Sequence, residues 1–272
     1  MDINSILLAV LIVAGIGLVL GVILAVASLL MAVPKDEKVE ALKEALPGAN
    51  CGACGYSGCE GYAKALALGE AALGKCSPGG EDCVSQLSKI LGVEAAAMEK
   101  KTALVHCMGS EDNTDVKMEY QGVMSCRAAM TLHGGMSSCT FGCLGLGDCM
   151  NACPYGAISL CNGVAHIEPE LCKGCSMCVS ACPKKLISFV PYKDMAVVRC
   201  FNCQKGADAR KVCKSACIGC KKCEKVCEAG AVKVENFLAY VDASKCTGCM
   251  KCVESCPSDK PSVGGSICQT CN

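Results

Sequence analysis

Cys172-Lys-Gly-Cys175-Ser-Met-Cys178-Val-Ser-Ala-Cys182-Pro183 is the stretch on which the reading of this chain turns. Its first three cysteines recur at every third position, and the fourth stands directly before a proline. The same register returns at Cys217, Cys220, Cys223 and Cys227, and again at Cys246, Cys249, Cys252 and Cys256-Pro257. A looser run, Cys139, Cys143, Cys149 and Cys153-Pro154, comes first, with Gly142, Gly145 and Gly147 permitting a wider backbone path. Cys227 is followed by Glu228 where the other three runs have proline.

This register is the bacterial two-cluster ferredoxin pattern, in which the fourth cysteine of each run ligates the cluster of the other run. The crossing predicts one [4Fe–4S] site on Cys139, Cys143, Cys149 and Cys182, and its partner on Cys172, Cys175, Cys178 and Cys153. In a second module it predicts one site on Cys217, Cys220, Cys223 and Cys256, and the other on Cys246, Cys249, Cys252 and Cys227. Short apolar runs after the fourth cysteines (Ala157-Ile158, Leu186 to Phe189, Ala231-Val232) read as strands of ferredoxin-like units. Zinc sites draw on two separated cysteine pairs, which the triple-plus-one register does not supply.

Upstream, Cys51, Cys54, Cys59 and Cys76 frame a further site, with Gly52, Gly55 and Gly58 giving backbone room and Glu60 to Leu73 reading as a helix. Taken alone, that spacing fits either a cluster or zinc. Before it, Ser5 to Val33 carries no charged side chain, longer than the roughly 20 apolar residues that cross a bilayer. Met1 to Asn4 lacks the basic start of a signal peptide. Lys35, Lys38 and Lys43 follow the segment and none precedes it, so the bulk of the chain is expected on the cytoplasmic side of the cell membrane, as a single-pass protein.

The expected architecture is α+β: a transmembrane anchor over 1–34, a small helical [4Fe–4S] domain over 35–100 and a connecting segment over 101–135. Two tandem 2[4Fe–4S] ferredoxin modules follow over 136–192 and 213–262, with a linker over 193–212 and a tail over 263–272. The 272 residues include 29 cysteines, an odd number, and a cytoplasmic setting keeps thiols reduced, so disulfides are not expected. With no Trp, six Tyr and four Phe, a large conventional core is not expected either. Lys plus Arg and Asp plus Glu balance at 26 each, against the basic excess of a nucleic-acid binder. Five clusters, each about −2 with its thiolates, would bring the chain to about −10. Residues 193–260 nevertheless hold 13 basic and eight acidic side chains, an excess that either offsets the clusters' charge or docks an acidic partner. No glycine run opens a dinucleotide fold, and no paired-carboxylate or Ser/His/Asp arrangement marks a catalytic site.

With CGACGYSGCEGYAKAL, then Cys76-Ser-Pro-Gly-Gly, then CTFGCLGLGDCMNACPYGAI behind an apolar N-terminal segment, nearly the whole chain resembles the B-type iron–sulfur subunit of Rnf complexes, in a long form. The resemblance implies a component of a membrane-bound, Na+- or H+-translocating ferredoxin:NAD+ oxidoreductase. It implies soluble reduced ferredoxin as donor, other membrane subunits as partners, and flavin and NAD sites on those other subunits. It also implies a [4Fe–4S] cluster on Cys51, Cys54, Cys59 and Cys76. A competing reading is a membrane-anchored reductase module that resets a redox-sensing transcription factor; another is a ferredoxin subunit of a membrane hydrogenase.

Cys83, Cys107, Cys126, Cys161, Cys200, Cys203, Cys213, Cys268 and Cys271 remain. Cys83 and Cys161 read as buried structural residues. Cys107, Cys126, Cys200 and Cys213 form either a further cluster or metal site, or a set of spare thiols. His106, His133 and His166 have no ligand spacing to one another.

Overall fold

The computed structural model describes residues 3–30, 36–94, 99–257 and 263–265. Helix α1 (Ile3–Leu30) is apolar on every side, and its segment Val10–Ser28 is long and apolar enough to cross a membrane, with none of it buried against the rest of the protein. At about 1.5 Å per residue its length exceeds a ~30 Å hydrocarbon core. A chain lacking Ile3–Leu30 is expected to move from the membrane pellet to the soluble fraction when expressed alone; flotation on a density gradient checks this. Lys35 and the end of the apolar run, 31–33, lie outside the described residues.

Next comes a helical unit. Helix α2 (Glu37–Glu44) starts where the Asp36 side chain accepts the Lys38 N–H at 3.0 Å, an N-cap that satisfies one free helix donor. It packs on α3 (Cys59–Ala67) and α4 (Gly80–Leu91), which are linked by a short 3-10 turn at Ser77–Gly79. Leu42, Tyr62, Ala63, Leu66 and Leu87 fill the space between them, together with Cys76 and Cys83. Tyr62 is fully buried because its hydroxyl finds partners: it donates to the Ala72 carbonyl at 2.9 Å and accepts the Lys75 N–H.

The first ferredoxin-like unit begins earlier than the cysteine runs indicate. Strand β1 (Lys101–Val105) comes from the stretch expected to be a connection, and it pairs antiparallel with the more distant strand β4 (Ile187–Pro191), Ala103 opposite Phe189. Between them lie α5 (Cys126–Met130), α6 (Asp148–Asn151), a hairpin of β2 (Ile158–Cys161) and β3 (Val164–Ile167), and α7 (Met177–Ala181). The hairpin turns on Asn162 and Gly163, both at positive φ (45° and 74°), the two-residue turn whose twist matches the strands.

The second unit repeats this plan. Strand β5 (Ala196–Val198) pairs with β8 (Val263–Gly265), and they enclose α8 (Gly206–Val212), α9 (Lys222–Lys225), the hairpin β6 (Val232–Glu235) and β7 (Leu238–Val241), and α10 (Lys251–Glu254). Again the outer strands come from residues expected to be linker and tail. Leu104 and Val190 of the first unit meet Met195 and Val197 of the second in a shared apolar cluster. Each unit's own core mixes a few aliphatics with cysteine. Val105, Ile158, Ile167, Leu186 and Ile187 surround Cys149, Cys172 and Cys178, while Val198, Val232 and Ala239 surround Cys217, Cys223 and Cys252.

Candidate iron–sulfur centres

Three of the four helices that carry the third cysteine of a run start with one local device. In Cys172-Lys-Gly174-Cys175, Cys217-Ile-Gly219-Cys220 and Cys246-Thr-Gly248-Cys249, the glycine sits at positive φ (67°, 62° and 74°). The residue after the second cysteine is also left-handed (Ser176 62°, Lys221 60°, Met250 57°) and precedes a short helix that carries the third cysteine. The chain thus coils around a point on which the thiols of one run converge.

Cys217, Cys220, Cys223 and Cys256 line one chamber with Ile218, Val234 and Ala239. Burial first, then the neighbouring thiols of Cys217, Cys220 and Cys252, push the Cys223 thiol up to about 11. Cys252 is raised by burial and by Cys246, Cys227 and Cys249, so the companion set also stands together. Likewise Cys178 is held up at about 12 by burial and by Cys172, Cys175 and Cys153.

At the looser first run the cysteines divide between two chambers. Cys126, Cys143, Cys149 and Cys182 line one chamber, with Val105, Leu144 and Leu186. Cys139 lies in a different one with Cys107, Cys200 and Cys213. Cys126 reaches its place because Asp148, one residue before Cys149, clamps the start of α5. The Asp148 carboxylate accepts the Ser125 hydroxyl at 2.9 Å and the Cys126 and Arg127 N–H groups at 3.0 Å each. Burial opposes the Asp148 charge, but these donors outweigh it and lower its pKa. Burial pushes Cys149 up to about 12, followed by Cys143, Cys126, Cys182 and Cys178, with Cys139 absent from that company.

In the membrane-proximal unit, Cys54, Cys59 and Cys76 pack in one apolar cluster with Cys83. Cys83 is more than filler: the Cys76 thiol is raised chiefly by its hydrogen bond with Cys83. A β-carbon on Gly79 would stand 2.7 Å from the Cys83 sulfur and 3.3 Å from that of Cys76. Asn50 Oδ1 accepts the Cys59 N–H at 2.9 Å and fixes the start of α3.

Backbone N–H groups aim at several sulfurs. Leu186 donates to Cys182 at 3.4 Å and Ala231 to Cys227 at 3.3 Å, each four residues past the fourth cysteine of its run. Ala103 of β1 donates to Cys172 at 3.4 Å. Such donors stabilise thiolate charge and tune the potential of a bound cluster. Burial and neighbouring thiols raise Cys149, Cys178 and Cys223, so iron binding there has to release protons. Among the described residues no group of three or more His, Cys, Asp or Glu is placed to hold a single metal ion; the cysteines stand around chambers instead. Four soft thiol donors, N–H groups directed at sulfur and glycine-lined backbone fit a [4Fe–4S] cluster.

Cys161 is disulfide-bonded, a correction to the expectation of free thiols throughout. Cys268 and Cys271 lie outside the described residues. Cys203 is exposed and lines none of these chambers. A larger cavity of about 540 Å³ opens between β4, β5 and the second hairpin, but Cys200 is the one cysteine on its wall.

Three family models match the chain: an Fe-S cluster domain over residues 46–78, a 4Fe-4S binding domain over 165–188 and a 4Fe-4S dicluster domain over 216–260. The chain is 41% identical over 243 residues to the B-type subunit of the Na(+)-translocating ferredoxin:NAD(+) oxidoreductase complex of Acetobacterium woodii, covering 89% of this chain and 73% of that protein. It is 38% identical to the B-type subunit of the ion-translocating oxidoreductase complex of Methanosarcina acetivorans, over 85% of this chain and 88% of the relative. With the corresponding subunit of the proton-translocating ferredoxin:NAD(+) oxidoreductase complex of Clostridium ljungdahlii it shares 37% identity, over 89% and 86%.

Proposed function

The chain belongs to the family of B-type subunits of ion-translocating oxidoreductase complexes, and from that premise we propose that it accepts electrons from reduced soluble ferredoxin and relays them to membrane partner subunits. It is an oxidoreductase subunit with 4Fe-4S domains, anchored by α1 with its cysteine-rich units on the cytoplasmic side. When bound, [4Fe–4S] clusters supply one-electron redox centres at the cysteine sets. The chain's own residues hold the thiolates and direct N–H groups at sulfur.

The observation that carries the reading is the unbroken succession of cysteine sets. Tyr155 is raised by burial and then by Cys175, Cys51, Cys76 and Cys153, so it stands between the membrane-proximal set and the first ferredoxin unit. There a β-carbon on Gly174 would lie 3.3 Å from Ser77, the residue after Cys76, so the two segments touch. At the far end Cys220 and Cys249 are exposed beside exposed Lys221, Lys222 and Lys251. That edge, in the basic stretch 193–260, fits an acidic ferredoxin, whose approach a positive field would accelerate.

Replacing Cys51 with Ser in the intact complex tests the direction of the relay. Ferredoxin-dependent NAD+ reduction is expected to lose most of its rate while the ferredoxin-like units still take up electrons. A normal rate would show that the membrane-proximal set is not on the path.

A further inference from the structure

Aligning the four runs on their left-handed glycines changes which cysteines are equivalent. Gly145, at φ 68°, occupies the place of Gly174, Gly219 and Gly248. Its β-carbon would lie 2.5 Å from the Gly163 carbonyl of the hairpin turn, as one on Gly219 would lie 2.8 Å from the Phe237 backbone of the second hairpin turn. Gly147, at 82°, then matches Ser176, Lys221 and Met250, and α6 matches α7, α9 and α10. In that frame Cys143, Cys149 and Cys153 keep the regular spacing of Cys172, Cys178 and Cys182. The second cysteine position is Leu146, and Cys139 falls outside the run.

We infer that Cys126, delivered by α5, replaces the missing second ligand beside Cys143, Cys149 and Cys182, and that Cys139 belongs to a sixth [4Fe–4S] site with Cys107, Cys200 and Cys213. This deepens the electron-relay reading and rests on it. The sixth set is drawn from four separate places: the end of β1, the start of the loose run, the end of β5 and the end of α8. Cys107 and Cys213 both come close to Gly109, 3.5 and 3.7 Å from where its β-carbon would be. Cys139 and Cys213 are buried in one apolar cluster, with Cys200 packed against it.

The chamber is finished as a ligand site. Ser215 is 2% exposed and lines it, and its hydroxyl has no hydrogen-bond partner among the described residues. A buried hydroxyl left so is costly, and a cluster's sulfur would accept from it. The Asn202 amide, 1% exposed, points at the Cys139 sulfur from 3.8 Å, and Arg199 supplies positive charge on the wall.

Its position gives the site a purpose. The Cys143 N–H donates to the Cys107 sulfur at 3.3 Å, and the Cys217 N–H donates to the Cys200 sulfur at 3.4 Å. One side therefore touches a ligand of the first ferredoxin unit, and the other a ligand of the second. The sixth site lies at the junction of the two units, where the Thr114 hydroxyl also donates to the Val212 carbonyl at 2.7 Å and the Lys214 N–H to the Asn113 carbonyl at 2.8 Å.

Iron, acid-labile sulfide and Mössbauer area per full-length chain, prepared anaerobically, decide the matter. The unsubstituted chain is expected to hold about 24 iron atoms in six cubanes. Cys139→Ala with Cys213→Ala is expected to remove one cluster, because both residues serve one site, and Cys139→Ala with Cys143→Ala to remove two. The opposite pattern would restore the spacing-based grouping and overturn the exchange. About 20 irons, unchanged by Cys107→Ala or Cys213→Ala, would overturn the sixth site while leaving the relay reading intact. Absence of [4Fe–4S] signals altogether would overturn the relay reading itself. Cys203→Ala is the control and should lose no iron. Retention of the other clusters' EPR signals in each variant separates site loss from unfolding.

Discussion

Stripping the iron under anaerobic conditions is expected to unfold both ferredoxin-like units. Their sheets are two-stranded, a size that is marginal in water without further packing. The second unit's core is short of large side chains, its buried cluster being Ala196, Val198, Val232 and Ala239 with Cys217, Cys223 and Cys252, while the first unit's aliphatics surround Cys149, Cys172 and Cys178. Cysteines thus fill the centre where a larger domain would place leucine and phenylalanine, and the ligand-to-metal bonds are what close it. Metal binding in small domains of this kind is folding free energy. Oxidant plus chelator should therefore abolish protease resistance and strand signal across 101–257, with refolding dependent on iron and sulfide. The helical unit, with Leu42, Tyr62, Leu66 and Leu87 in its core, should lose less. An apo chain that melted at the same temperature as the loaded one would contradict this assignment of stability.

The second large effect is expected at Gly145. Alanine there must adopt a left-handed backbone, at about 1–2 kcal/mol. It must also push its β-carbon away from the Gly163 carbonyl, which would stand at 2.5 Å. Backbone on both sides leaves no flexible side chain to yield, so the total destabilisation should reach about 3 kcal/mol, in the range of combined strain and overpacking. Gly156 supplies the comparison, because it also has positive φ (60°) but nothing lies within 4 Å of its added β-carbon. Gly156→Ala should cost only about 1 kcal/mol. Chemical denaturation of the loaded protein reads both, and the Gly145 variant should in addition lose iron from the set that includes Cys143.

Why the ferredoxin pattern is legible in the sequence while part of the inferred ligand set is not follows from these elements. Three regular runs are local: the glycine, the left-handed residue and the short helix all lie within a few residues of the cysteines they position. The loose run, aligned by its cysteines, draws Cys139 into the set. Aligned by Gly145 instead, it exposes Leu146 as the substituted ligand position. Cys126 is a long-range partner, brought in by the Asp148 clamp on α5, and no spacing rule encodes that contact. The outer strands escape sequence reasoning for a similar reason. Lys101–Val105 and Ala196–Val198 are short, and each pairs with a strand far along the chain, so neither shows the hairpin signal that Asn162-Gly163 gives. Cys83 carries no signal beyond its position in the first turn of α4, from which it faces Cys76.

Electrons entering at the basic distal unit and crossing successive cysteine sets to the membrane is the central claim, and one measurement addresses it most directly. The membrane-embedded chain, mixed anaerobically with reduced ferredoxin and frozen at short times, is followed by quantitative EPR. Several electrons per chain should be taken up, with the broadened spectra of neighbouring reduced clusters, and uptake should slow as salt screens the docking charges. Uptake by none of the clusters, or by a single isolated cluster at a rate indifferent to salt, would contradict it.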